Sequence, residues 1–231
     1  MYIGVQKQIM QKIQDGIYPA GGRLPSESEL AKTLHVGRST IREALKILQR
    51  DNVLTSFNGV GTYINEKYGL INNSLNRLKS LGQMIKDAGY QESECDIRRY
   101  SMAPENEWAN KLQIDEDVFV MERTRTADSQ KIAFYYNIFP ASLVGDAIGD
   151  DFSGGILNFL EKELGIRVTY AISEICVIDQ TNERDRKAVG ILGPDVILLK
   201  QLHLNKKNVP VFYSLDYLKS DAFHLVVKRE I

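Results

Sequence analysis

Over the first fifty residues the apolar positions recur at helical spacing, and beyond residue 90 they fall mostly into strand-like runs. Ile3, Gln6, Ile9, Met10 and Ile13 give a loose amphipathic helix, closed by Asp15-Gly16, Pro19 and Gly21-Gly22. Ser26, followed three residues on by Glu29, has the pattern of a capping box, so a short helix is predicted there with Leu30, Ala31 and Leu34 on its apolar side. His35-Val36-Gly37 breaks it, and a second helix is predicted over 38–51 with Ile41, Ala44, Leu45 and Leu48 as its buried stripe. Two short helices around a tight break form a helix-turn-helix candidate, with Ala31 small at the crossing and Val36 plugging the turn. Residues 53–57 and 61–64, around Asn58-Gly59, then read as a hairpin, which in that position is a wing.

The rest of the chain changes period. Residues 65–73 are polar and read as a linker. Strands are predicted at 96–100, 118–126, 132–139, 167–178, 196–204, 209–218 and 224–228, with Asp128-Ser129 joining the second and third. Helices are predicted at 104–112, 156–164 and 183–189. The fold class is therefore α+β: a winged helix-turn-helix over 1–66, a linker over 67–74, and a mixed antiparallel sheet carrying helices over 75–231.

Bulk chemistry adjusts this picture only slightly. A chain of 231 residues, 43% apolar and 26% charged, fits two domains of a soluble protein. Its apolar runs are too short to span a bilayer and it opens with no secretory signal, so a cytoplasmic protein without a membrane partner is expected. Cys95 and Cys176 are isolated and match no metal spacing, so core thiols are expected, and neither a metal nor a cofactor. A net charge of −1 does not by itself suggest nucleic acid, and residues 1–66 carry only +2 against −3 for the remainder. Placement is more telling: Arg38, Arg42, Lys46 and Arg50 recur every four residues on one side of the second helix, with Glu43 outside the row. Such a row is either a solvated face or a surface that meets phosphates. No nucleophile–base set or paired-carboxylate motif stands out, so an enzyme is not expected.

Leu24-Pro25-Ser26-Glu27, Glu29-Leu30-Ala31, Arg38-Ser39-Thr40-Ile41-Arg42-Glu43-Ala44-Leu45 and Gly59-Val60-Gly61-Thr62 together resemble the DNA-binding domain of the GntR family, over about residues 3–64. The resemblance implies that Arg38, Thr40 and Arg42, with Ser39 and Lys46 beside them, contact DNA from the recognition helix. It implies too that Ser26 and Glu27 lie at the phosphate backbone and Gly61 at the wing tip. His35-Val36-Gly37 departs from the usual Gly and Val-Ser of the turn, and Gly37 as cap forgoes a serine hydroxyl at a cost of only a few tenths of a kcal/mol. His35 is then expected in a left-handed conformation.

Beyond Leu75 the order of elements resembles the UTRA ligand-sensing domain of the HutC-type branch, whose chorismate-lyase-like fold is used for binding. Glu122-Arg123-Thr124-Arg125, residues 152–165 followed by Ile166-Arg167-Val168, and Tyr213-Ser214 with Tyr217 and Ser220-Asp221 carry that resemblance. The other large branch, with an all-helical metal-binding sensor, fits poorly a chain holding only His35, His203 and His224. Arg123 and Arg125, two apart on a strand, share a face: they either grip an effector's carboxylate or phosphate or form exposed ion pairs. Tyr135 or Tyr136, Glu174, Tyr213 and Tyr217 are further candidates for effector contacts or for the core. Sugar-phosphate-binding relatives usually place glutamates where this chain has Tyr135 and Phe212, so an anionic ligand with a less hydroxylated body is expected. The resemblance implies a homodimer on an inverted-repeat operator, regulated by a small molecule and acting by repression. The alternative is an architectural DNA binder whose second domain only dimerises.

Overall fold

The computed structural model describes residues 2–50, 53–57, 59–65, 71–75, 77–145, 147–149 and 152–227. They form two compact units, one of residues 1–74 with 224–231 and one of 75–223.

In the first unit α1 (Tyr2–Gln14), α2 (Glu27–Thr33) and α3 (Arg38–Arg50) precede the antiparallel hairpin of β1 (Leu54–Phe57) and β2 (Gly61–Ile64). Ser26 caps α2 through the reciprocal bonds of a capping box with Glu29. His35 takes φ +52, as expected for the turn. Ile41, Ala44, Leu45 and Leu48 of α3 are buried together with Leu30 of α2 and Leu54 and Ile64 of the hairpin. The first helix corrects the sequence reading: its buried stripe is Val5, Ile9 and Ile13, while Ile3 stays exposed. Positions spaced by four follow one line along a helix, and packing against α3 selected that line. The expected linker is corrected too, because β3 (Ile71–Ser74) lies within it; residues 66–70 lie outside the described residues.

The second unit runs α4 (Leu81–Asp87), β4 (Glu92–Met102), α5 (Asn106–Leu112), β5 (Val118–Ala127), β6 (Gln130–Pro140), α6 (Ala141–Val144), α7 (Ile156–Glu163), β7 (Tyr170–Cys176), α8 (Glu183–Leu192), β8 (Val196–Leu204) and β9 (Pro210–Lys219). Its six strands pair in the order β4-β5-β6-β9-β8-β7, antiparallel throughout. Asp128 and Ser129, both left-handed, turn β5 into β6, the geometry a tight hairpin requires. A last strand, β10 (Phe223–Val226), joins β3 rather than this sheet. The sequence reading lacks α4 and α6: both are too short to show a period, α6 spans only four residues, and α4 has neither the reciprocal capping box of the equally short α2 nor a proline before it like that of α5.

Each face of the sheet carries its own layer. Val118, Val120, Phe134, Tyr136, Ile138, Tyr213, Leu215 and Tyr217 face Trp108 and Leu112 of α5 and Ala188 and Leu192 of α8. On the other face Met121, Phe139 and Phe212 pack on Val144 of α6 and on Ile156 and Leu160 of α7. Between that second apolar patch and α4 lies a stretch of buried polar side chains.

Candidate nucleic-acid interface and ligand site

In the first unit the predicted contact residues gather at the starts of α2 and α3. The Ser26 hydroxyl accepts from the Glu29 backbone N–H at 3.3 Å and donates to its carboxylate at 2.7 Å. Glu27 receives Arg42 in a two-pronged pair, Nε at 3.2 Å and Nη2 at 2.8 Å, which holds the Glu27 carboxyl below its ordinary pKa. Arg38 and Ser39 are exposed at the start of α3 with Thr40 half-buried beside them, and Lys46 reaches Glu43 at 2.9 Å. Thus two cations of the row already hold carboxylates. Both pairs are surface pairs, worth about 0–1 kcal/mol, so a phosphate can take either cation at little cost.

The wing brings in a residue the sequence reading missed. Gly61 has φ +141, and a Cβ there would lie 2.6 Å from Nε of Arg23. The bare backbone lets that guanidinium lie against the hairpin, where Arg23 lines a cleft with Ser56, Phe57, Val60 and Thr62. Arg23 reaches it because its own segment pairs with β2: Leu24 N–H donates to Thr62 O, and Arg23 bridges to Tyr63. No local pattern around Arg23 announces this long-range pairing. Gln49 of α3 bonds Ser56 at 2.5 Å, tying the helix to the wing.

In the second unit Arg123 and Arg125 share a face, as their spacing predicted, and both are almost wholly buried. Arg123 Nη1 donates to Glu94 at 3.0 Å and to the Gly154 carbonyl at 2.8 Å, and its Nη2 donates to Asn137 at 3.0 Å. Arg125 donates through Nε to the Tyr135 hydroxyl at 2.8 Å and through Nη2 to the same Gly154 carbonyl at 3.1 Å, and it pairs with Glu92 and Glu94. Arg99, on the same face, donates to the Phe152 carbonyl at 2.9 Å. Tyr135 and Phe152 stack near the Arg123 guanidinium at 4.9 and 5.5 Å. Gly82 of α4 sits over the Arg125–Glu92 pair, where a Cβ would come within 3.1 Å of Arg125 Nη1. Asp216 lies opposite Tyr135 in the β6–β9 register, takes a bond from Gln201, and is pushed up to about 6 by burial.

Not all of the predicted ligand residues meet there. Tyr213, Tyr217 and Glu174 belong to the opposite face, where Tyr213 bonds Glu107 at 2.9 Å, Tyr217 bonds Asp185 at 2.7 Å, and Glu174 bridges to Lys111 at 2.6 Å. Of the two tyrosine alternatives, Tyr135 faces the arginines and Tyr136 the core. The antiparallel register decides this, since it fixes which parity of β9 matches which parity of β6. Glu92, Glu94 and Asp216 supply carboxylates on the arginine face from other positions than those of Tyr135 and Phe212. Cys95 and Cys176 are free and half-buried, and Cys176 packs against the core of the sheet. Among the described residues no group of His, Cys, Asp and Glu is arranged to hold a metal, and no helix is long and apolar enough to cross a membrane.

The family of bacterial regulatory proteins named gntR matches residues 1–64, and the UTRA domain matches residues 92–224. The chain is a GntR-family regulator with a UTRA domain. Its relatives include the HTH-type transcriptional regulator TreR of Bacillus subtilis, 25% identical over 97% of this chain and 95% of that protein. The histidine utilization repressor of Pseudomonas putida is 37% identical over a shorter stretch, 42% of this chain and 38% of that protein. Among solved structures, the possible transcriptional regulator YydK of Bacillus subtilis superposes with a TM-score of 0.65 at 21% identity, covering 99% of both chains, and so shares the fold. The protein is thus a DNA-binding transcriptional regulator and not an enzyme.

Proposed function

We propose that this GntR regulator binds an inverted-repeat operator as a homodimer, represses transcription, and is modulated by a small anionic metabolite held at Arg123 and Arg125. The observation that carries the effector reading is the convergence of both guanidinium groups on one acceptor, the carbonyl of Gly154, an exposed residue ahead of α7. A carboxylate or phosphate oxygen offers the same donors a charged acceptor, one that a planar guanidinium can grip through two parallel bonds. Tyr135, Asn137 and Asp216 stand beside the arginines to contact the rest of the ligand. Ligand binding there frees the segment ahead of α7 from the arginines, and operator affinity changes by the ligand's differential affinity for the two arrangements. The name of the repressor among its relatives favours repression. A dimer is favoured because one small reading head buries too little surface for tight, specific binding.

The test is a thermal-shift screen of the full chain against phosphorylated sugars, organic acids and amino-acid derivatives. A true effector at a hundredfold excess over its Kd stabilises the folded protein by about 2.7 kcal/mol. Arg123→Lys keeps the charge beside Glu94 but loses the planar fork, so it is expected to abolish the shift while leaving operator binding intact. An undiminished shift in that variant, or silence from every anion, overturns the assignment.

A further inference from the structure

Two strands away from Arg123, the same face of the sheet carries a carboxylate of a different kind. Arg123 of β5 stands opposite Tyr135 of β6, and Tyr135 opposite Asp216 of β9, so the three form one cross-strand row. Glu92 and Glu94, at the β4 end of that face, are each held by arginine. Asp216 is only 7% exposed, yet among the described residues its hydrogen-bond donors are uncharged: the amide of Gln201 and the hydroxyl of Ser214. Both donors are themselves oriented. Gln201 turns its amide N–H to Asp216 because its oxygen accepts from Ser173 at 2.7 Å. Ser214 lies 3.2 Å from His203 Nε2, and a hydroxyl that donates to a carboxylate accepts from that ring nitrogen. His203 Nδ1 is then a bare acceptor, buried and without a donor among the described residues. At the other end of the row Arg123 Nε is buried without an acceptor, although Nη1 and Nη2 are engaged. Buried polar atoms are ordinarily partnered, and a buried carboxylate ordinarily has a cation. One end of the row thus calls for an acceptor, the other for a cation that donates.

We infer that the effector is an anion that also carries an amine, its acid end taken by Arg123 and Arg125 and its ammonium by Asp216. The inference rests on the anion-site reading above and adds the chemical class of the ligand. An ammonium suits Asp216 because it offers only donors together with a positive charge. A hydroxyl suits it less: it donates too, but leaves the buried carboxylate without a counter-charge. The β5 and β9 backbones stand two strand spacings apart, about 10 Å, with β6 between them. The Arg123 guanidinium already lies 4.9 Å from the Tyr135 ring, over the middle strand, which shortens the span to Asp216. The acid and the amine therefore belong to one small molecule with a short chain between them.

Isothermal titration calorimetry on the full chain tests this with matched probes: phosphoethanolamine against ethyl phosphate, and 4-aminobutyrate against butyrate. In at least one pair the amine-bearing member is expected to bind about tenfold tighter or more, as for one hydrogen bond to a charged group. Asp216→Asn keeps the shape of the side chain and is expected to bring that ratio near one, with binding of the amine-free member retained. Arg123→Lys is expected to weaken both members alike. Equal binding within the pairs, or a preference for the amine-free member, overturns this inference and leaves the anion site standing, and the unchanged protein alone shows it. A preference for the amine that survives Asp216→Asn overturns the Asp216 assignment. Silence from all four probes, beside binding of a screened anion that has no amine, overturns this inference alone. Silence from every anion overturns both readings.

Discussion

Asp216 shows how much one buried carboxylate depends on its surroundings. It lies on the arginine face with Gln201 as its hydrogen-bond donor, and burial pushes it up to about 6. A carboxyl raised in the folded state stabilises the protein fully below its unfolded value and loses that contribution as pH rises through about 6. Asp216→Asn removes the titration. The melting temperature of this variant minus that of the unchanged protein is therefore expected to grow from pH 5 to pH 8. A difference that stays flat with pH would show that Asp216 is not raised. Buried His203, lowered to about 3, contributes in the opposite sense but equally in both proteins, so it cancels in the difference. At this scale the sequence showed that Arg123 and Arg125 share a face, because a strand alternates with period two. It could not show that Asp216 joins them while Tyr217, one residue on, does not, because that follows from the pairing of β9 with β6.

At the scale of elements, the reading head was legible where its signals are local. Ser26 with Glu29 marks the start of α2, and the apolar stripe from Ile41 to Leu48 marks the buried side of α3. The wing was legible as a hairpin, but its partner Arg23 was not, because the contact joins segments nearly forty residues apart in the chain. Gly61→Ala places a methyl group against Arg23 at a backbone angle of +141° that side chains rarely adopt. The variant is expected to lower operator affinity several-fold, at a stability cost on the order of 1 kcal/mol or more. Arg23→Ala is expected to reduce the slope of log affinity against log salt by about one, as for the loss of one phosphate contact. Fluorescence anisotropy over a salt series reads both, and an unchanged slope would take Arg23 off the DNA.

At the scale of the molecule, the gntR-matching domain and the UTRA domain rest on separate cores, one built around α3 and the hairpin, the other around the six-stranded sheet. Arg42→Ala removes a side chain whose only protein partner in α2 is an exposed carboxylate, so folding is expected to be unaffected. Operator affinity is expected to fall roughly tenfold or more, the worth of one good base or phosphate contact, with the effector's thermal shift undiminished. Equal operator affinity would remove Arg42 from the interface. By itself the sequence determined the kind of each half: caps, breaks and periods of 3.6 and two are written within a few residues, and the motifs of the reading head are equally local. Only the tertiary structure decided which strands are neighbours and which faces meet. Those depend on register between strands distant in sequence, where a shift of one residue turns every side chain to the other face.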